Sequence, residues 1–393
     1  MAEIDRSRLF TASCVALVLT AMTFAFRARL ETVFGPEGVG LTLEQIGYAF
    51  MPAFWGFTLA MIVGGPIVDF LGMRRGMLFA FLLHLAGIVA TLMATDFESL
   101  FAATVFMGLG NGMVEAVCNP LVASAYPDRK VKMLNRFHLW WPAGIVTGSI
   151  LGYLVMDVGG LSWQLMVGLL FIPLAIYGYL FFGQEFPVTE RVEMGVSHRD
   201  ALMALLTPLF LFVGFCMLLS AATELGTTQR IESLLRETGV NALLVLAYIN
   251  GIMIFGRAWA GSVAARIGTA GMLWFSAIFS FIGLWLLTSA SGGFVFVAAA
   301  VFGVGITFFW PTTLSFVSEN LPQSGAFGLS IMGGLGMLSV SVVLPLMGHI
   351  MDRAPGAEAI QIMSILPAIL ILLYGGLFFA RRRHAAATAG GTT

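Results

Sequence analysis

Twelve long apolar runs, separated by short polar or glycine-rich breaks, constrain this chain more than any other feature. They fall at about 9–33, 42–70, 76–94, 98–125, 137–157 and 161–183, and again at about 206–235, 240–263, 270–289, 292–317, 326–351 and 357–380. In hydrocarbon every backbone N–H and C=O must be bonded within the spanning segment, so roughly 20 consecutive apolar residues become a membrane-crossing helix. Of 393 residues only 10% are charged, against about 25% in soluble domains. A water-facing surface cannot be built from so few charges. The expected fold is therefore an all-α membrane protein with twelve transmembrane helices. The first run, Leu9 to Phe26, is longer than a signal-peptide core and lacks a small-residue cleavage pattern, so it is expected to be a retained span.

The polar stretch Gln184–Asp200 divides six runs from six. This gives an N-terminal six-helix bundle over 1–183, a linker over 184–205, a C-terminal bundle over 206–380 and a tail over 381–393. Positive charge collects in the segments that would face the cytoplasm, including Arg74, Arg75, Arg129, Lys130, Lys132, Arg136, Arg381, Arg382 and Arg383, fourteen of the twenty Lys and Arg in all. Cytoplasmic loops retain such charge. The expected placement is multi-pass in the inner membrane with both termini cytoplasmic. A formal net charge of −1 gives no field for nucleic acid. Cys14, Cys118 and Cys216 lie in apolar runs without paired or metal-ligand spacing, so no metal is expected. The only lysines, Lys130 and Lys132, have no Walker context, and no His is followed by Glu, so neither an ATP-driven pump nor a zinc protease fits. No cofactor and no enzymatic activity are expected. The remaining energy source is an ion gradient or the substrate's own gradient.

A glycine-framed signature occurs twice. Between the second and third runs it reads GGPIVDFLGMRRG, with Gly65, Asp69, Gly72, Arg74 and Arg75. Between the eighth and ninth it reads AGSVAARIGTAG, with Gly261, Ala265, Arg266 and Gly268 at matching spacing, 196 positions later. Glycines let helices approach, and Asp69 at a helix end can meet Arg74, Arg75 or a neighbouring helix N-terminus to lock a gate. The second copy has Ala265 in place of the acid, so packing outweighs locking there. Two six-helix halves related by a parallel repeat resemble the major facilitator class of secondary transporters.

Within that superfamily the chain is most similar to the fucose–galactose–glucose proton symporter branch. The fourth run, GNGMVEAVCNPLVASAYP, carries Gly112, Glu115, Asn119, Pro120 and Pro127; LNRFHLWWPAG follows, with Leu134, Asn135, His138 and Gly144; and TELGTTQRIESLL in the seventh run offers Glu224 and Gly226. Two departures stand out. Arg230 replaces a usual Trp, and Arg27 and Arg29 occupy the part of the first run where the branch places a coupling Asp, with Glu31 as a displaced substitute. The resemblance implies two pseudo-symmetric bundles in the major facilitator fold and a proton-coupling role for Glu115.

A carboxyl deep in a span is costly when ionised and is normally paired, protonated or beside a water-filled cavity. Counted from Phe101, Glu115 lies about 14 residues into its run, roughly 21 Å at 1.5 Å per residue, near or just inside the midplane. A static ion pair with an arginine of the first helix is the competing reading. Asn111 and Asn119 share its helix face at i±4 and suit a hydroxylated ligand, although interhelical bonding explains each amide equally well. His138 is read as a proton relay, a substrate contact or an interface cap; His84 is read as a packing residue. Arg27 either faces the cavity or snorkels to the surface. Glu224, Gln229 and Asn250 supply the other half of a substrate site, and Trp55, Trp141 and Trp310 are candidate stacking platforms for a pyranose. Arg257 is expected to gate, meeting Glu319. Gly144, Gly148, Gly152, Gly333, Gly334 and Gly336 are expected to form close-packing faces.

The leading expectation is proton-coupled symport of a sugar or similar polar small molecule by alternating access, by a chain acting as a monomer. Arg27, Arg29 and Arg230 motivate a second, an organic-anion transporter or exchanger. A non-transporting membrane sensor is a third, disfavoured by the polar face of the fourth run.

Overall fold

The computed structural model of the chain describes residues 4–126, 133, 136–187, 203, 205–321, 324–353 and 356–390. No strand occurs among the described residues. Among the described residues twelve helices are long and apolar enough to cross a membrane: α1 Arg6–Phe34, α2 Leu43–Gly64, α3 Met73–Leu92, α4 Phe97–Val122, α5 Arg136–Val158, α6 Trp163–Phe181, α7 Pro208–Gln229, α8 Ala242–Ala260, α9 Val263–Leu287, α10 Phe294–Val317, α11 Ser330–Met351 and α12 Ala357–Arg383. Twelve crossings return the chain to the side on which it started. That side is called here the terminal face, and the other the far face. Large apolar side chains such as Leu78, Phe255 and Leu372 point outward, at 58%, 73% and 76% exposure. Water would not tolerate such a belt, and lipid tails accept it.

Each half packs as a bundle, and the halves meet chiefly along α2 with α11 and α5 with α8. Small residues set the spacing. A side-chain carbon added at Gly144 would lie 2.6 Å from the Ala21 Cβ, and one at Gly148 2.9 Å from that of Ala25, so α5 lies directly on α1. Gly336 similarly seats the Trp310 ring, with 2.7 Å between such a carbon and the indole. Helix starts follow their caps. Asp96 and Ser99 form a reciprocal capping box at α4, and the two Ser99 bonds hold the exposed Asp96 carboxyl below its ordinary pKa.

Several segments are less regular than their apolar runs suggest. The second breaks at Met51 and Pro52, where one helix ends at Phe50 and another begins. The tenth is interrupted between Ile306 and Phe309. The seventh, expected to continue to residue 235, loses regular pairing at Arg230 and ends in short turns. Two π-helical turns also occur, at Tyr153–Val158 and Ala222–Gly226. Such turns carry one extra residue and re-aim the side chains they contain. The linker expected at 184–205 falls mostly outside the described residues, as do Leu134 and Asn135 and the charged residues Arg129, Lys130 and Lys132.

The repeated signature has a conformational basis. Gly72 sits at φ 85°, ψ 152° between α2 and α3, and Gly268 at φ 69°, ψ 169° in the chain that connects α8 to α9. This corner of backbone space is open essentially to glycine alone. Nothing lies within 4 Å of a side-chain carbon added at either position, so the requirement is one of dihedral angle and not of crowding. Gly72→Ala and Gly268→Ala are each expected to cost about 1–3 kcal/mol, seen as a lower thermal unfolding midpoint in detergent. Gly376→Ala, in a regular and open stretch of α12, should leave the midpoint unchanged or raise it, because alanine favours a helix interior.

Candidate functional site

At the far face the two halves are fastened by a buried ion pair. Arg230 and Glu31 are each 1% exposed, with Arg230 Nη1 3.2 Å from Glu31 Oε2. Arg230 Nη2 donates to the carbonyls of Leu43 at 2.8 Å and Leu344 at 2.7 Å. Ser233 donates to the other Glu31 oxygen. The guanidinium thus joins α1, the start of α2 and α11 to the end of α7. Beside it the Asp352 carboxylate accepts from the Leu43 and Glu44 N–H groups, both at 3.0 Å, and so caps α2 from across the interface. His349 Nδ1 lies 2.8 Å from Glu44, and Arg29 meets Asp157 at 3.2 Å and Glu232 at 3.5 Å. Backbone contact is close. A side-chain carbon added at Gly47 would lie 2.5 Å from the Pro345 Cα, and one at Gly348 would lie 2.3 Å from the Leu43 oxygen.

Deeper, a narrow cavity opens between the halves. Phe24 and Trp141 line it from the first half, and Glu224, Gln229 and Asn250 from the second. Its free volume of about 20 Å³ has room for about one water. The Trp141 ring meets Phe24 edge-on at 4.9 Å. Gln229 Nε2 donates to the Phe24 carbonyl at 3.4 Å, and Asn250 Nδ2 donates to Leu246 O at 3.0 Å. Glu224 sits in the π-helical turn of α7, 3.9 Å from Arg257 Nη2, while its Oε2 has no hydrogen-bond partner among the described residues. Arg257 also donates through Nε to the Thr307 carbonyl at 3.2 Å. The expected Arg257–Glu319 contact is therefore replaced by Arg257–Glu224, and Glu319 instead accepts from Thr269 Oγ1 at 3.1 Å. Glu224 reaches Arg257 from within the π-helical turn of α7.

Glu115, Asn119 and His138 form a second constellation. Asn119 Nδ2 donates to Glu115 Oε2 at 2.6 Å, and Asn119 Oδ1 lies 2.9 Å from His138 Nε2. Among the described residues Glu115 bonds to this amide and not to a helix 1 arginine. Its depth differs from the count made from Phe101. The helix begins at Phe97, so Glu115 stands 18 residues in and seven before Val122, about 27 Å from the far end. It lies about 8 Å past the helix midpoint on the terminal-face side, and Asn119 and the half-buried His138 continue from it in that direction.

The remaining candidates separate. Asn111 faces the interior of the first bundle, where its amide donates to Thr23 at 3.0 Å and its oxygen lies 2.9 Å from His84 Nε2. That places it away from the cavity between the halves. His84, buried and also 3.1 Å from Tyr177 Oη, is the packing residue expected. Arg27 is 4% exposed and does not snorkel. Trp310 packs on Gly336 and does not line the central cavity. Arg74 and Arg75 are exposed on the terminal face. The side chain of Asp69 and the surroundings of Gly65 lie outside what is described, so the first signature's proposed lock has no geometry here.

Two features carry the far-face closure without having been read as a unit in the sequence: the Glu31–Arg230 pair and the Asp352 cap. The available signal was charge inside apolar runs, with acids and bases falling in different halves.

Comparison with known proteins follows the architecture. The Major Facilitator Superfamily family model matches residues 8–333. The chain is 21% identical over 94% of its length, and 94% of the relative's, to the uncharacterized MFS-type transporter YttB of Bacillus subtilis (strain 168). It is 28% identical over 32% of its length to the chloroplastic D-xylose-proton symporter-like 3 of Arabidopsis thaliana, covering 22% of that protein. Among solved structures it resembles a D-xylose-proton symporter, with TM-score 0.76, 14% identity and coverage of 94% and 96%. It also resembles the E. coli fucose:proton symporter FucP, with TM-score 0.66, 16% identity and coverage of 93% and 97%.

Removing one partner of a buried ion pair strands the other charge, at about 3–5 kcal/mol. Arg230→Gln should therefore lower the unfolding midpoint strongly and loosen the far face. A cysteine placed at Glu44 should then react faster with a membrane-impermeant maleimide. The double variant Glu31→Gln, Arg230→Gln should recover much of the midpoint, because no charge is left uncompensated.

Proposed function

Because this chain belongs to the Major Facilitator Superfamily, we propose that it is a secondary active transporter carrying a sugar or similar polar small molecule together with protons. Transport is by alternating access across the inner membrane, with the terminal face toward the cytoplasm. The observation that carries this reading is Glu115. It is a buried carboxyl held by a neutral amide, free of a cationic partner among the described residues and connected through Asn119 to His138 toward the terminal face. A carboxyl locked to arginine holds its charge, whereas one beside an amide can gain and lose a proton as its access to water alternates. His138, with two exchangeable ring nitrogens, suits the exit end of such a path.

The central cavity provides the substrate surface. Trp141 and Phe24 offer aromatic faces from the first half, while Glu224, Gln229 and Asn250 offer donors and acceptors from the second. That combination suits a ring with an apolar face and hydroxylated edges. At about 20 Å³ the cavity has no room for a sugar, so loading from outside requires the far face to unfasten, and release requires the halves to part at the terminal face while the far face is fastened. Gly65, Asp69, Gly72, Arg74 and Arg75 are the gate elements assigned to that movement. The xylose and fucose proton symporters of similar fold agree with the sugar assignment. The arginines that favour an organic anion are engaged elsewhere: Arg29 and Arg230 meet carboxylates, and Arg27 lines a separate cavity. One chain completes the site, so a monomer suffices.

In proteoliposomes, a sugar panel screened by thermal shift should identify a stabilising substrate. Its uptake should accelerate when the outside is made acidic. Glu115→Gln should abolish this acceleration while leaving substrate exchange between equal pools intact, since exchange needs no net proton movement. Full pH-driven uptake by Glu115→Gln would refute the coupling assignment, and stabilisation by carboxylates alone would refute the sugar.

A further inference from the structure

Four buried or largely buried arginines lie within or beside the spans, and three have carboxylates within 4 Å: Arg29 with Asp157 and Glu232, Arg230 with Glu31, and Arg257 with Glu224. Arg27 is the exception among the described residues. Its guanidinium is 4% exposed and lies over the rings of Phe24 at 4.4 Å and Phe54 at 5.0 Å. One nitrogen reaches the neutral Gln229 oxygen at 3.4 Å, and Nη2 has no hydrogen-bond partner among the described residues. The two aromatic faces attract the cation through their negative π surfaces. They accept no N–H bonds in the guanidinium plane, and a buried cation without an anion is costly.

Arg27 also lines a second cavity, of about 30 Å³, enclosed by α1, α2, α3, α4 and α6 of the first half. Thr23, Thr91 and Thr104 contribute its only other polar side chains. Each of these hydroxyls already donates to a backbone carbonyl: Thr23 to Thr20, Thr91 to Gly87, and Thr104 to Ala49 and Phe101. Their protons are committed, so among the lining residues Arg27, through Nη2, holds the unmet donor. The rest of the lining is apolar, with Leu30, Phe50, Leu100 and Val167 among it.

We propose that Arg27 anchors a binding site for one small monovalent anion, of halide size, inside the first bundle and separate from the central cavity. The argument stands on charge balance and shape and is independent of which substrate the protein carries. A single guanidinium donor and an apolar wall also set the order of preference. A strongly hydrated or divalent ion such as sulfate would lose too much solvation, whereas bromide, shedding water more easily than chloride, should bind at least as well. Because Gln229 of α7 touches the same guanidinium, the ion would sit one contact away from the interface between the halves.

The test uses the purified full-length protein at constant ionic strength, with gluconate replaced stepwise by chloride or bromide. The unfolding midpoint should rise and saturate with either halide, with bromide half-saturating at or below the chloride concentration. Arg27→Gln should remove the saturable rise, and Arg27→Lys should weaken it, since a point charge replaces the planar fork. Should the Arg27 variants not fold, crystals of the unaltered protein grown in bromide should show an anomalous peak beside Arg27. Equal midpoints in halide and gluconate, an undiminished rise in Arg27→Gln, or bromide peaks only outside this cavity would each overturn the site. A rise with acetate or larger carboxylates but not with halides would assign Arg27 to a transported acid instead, and likewise overturn it.

Discussion

A single guanidinium holds the far face shut. Arg230 gives one arm to the Glu31 carboxylate and the other to two main-chain carbonyls, at Leu43 and Leu344. Those carbonyls lie where α2 begins and where α11 passes Pro345. Each lies within a helix, so the guanidinium adds a bond across the interface to a carbonyl that already faces the N–H four residues on. The cation therefore joins backbone groups and a buried acid at once. Removing it would leave the Glu31 carboxylate buried without its cation in a setting where water is scarce. The Asp352 cap on α2 works by the same logic with the sign reversed, an anion meeting the N–H groups at a helix start.

Charge placement thus divides labour along the membrane normal. The far face carries ion pairs that cross between the halves. The middle carries Glu224 with Arg257, both in the second half, and a cavity walled by aromatic rings from the first. Toward the terminal face lies Glu115, bonded among the described residues to an amide and not to a cation. A fastening built from full charges is strong only while its partners stay together. A proton carrier, by contrast, works only if no permanent partner holds its charge. The two kinds of site therefore sit apart.

Much of this was legible from the chain. The apolar runs give the twelve helices because hydrocarbon leaves the backbone no alternative. The matched spacing around Gly72 and Gly268 gives the repeat, and both glycines share one backbone geometry that other residues avoid. The local amide contact between Glu115 and Asn119 follows from i, i+4 spacing. What was not legible depends on partners far apart in sequence. Glu31 and Arg230 are 199 positions apart, and no periodicity links them. Arg257 was matched with Glu319 because both lie toward the ends of apolar runs, but Glu224, in the π-helical turn at Ala222–Gly226, meets it instead. The depth of Glu115 is set by the Asp96 capping box, which starts α4 at Phe97, four residues before Phe101.

The seam between α2 and α11 has a further implication. At Gly47 and Gly348 there is no space for even one methyl group, and the main chains touch directly. Contacts of this kind do not weaken by degrees. A separation of an ångström or two already breaks the Arg230 and Asp352 bonds without yet letting water in to replace them, so half-open arrangements are worse than either end state. The far face should accordingly behave as a latch with two positions, passing between them abruptly and spending little time at intermediate openings.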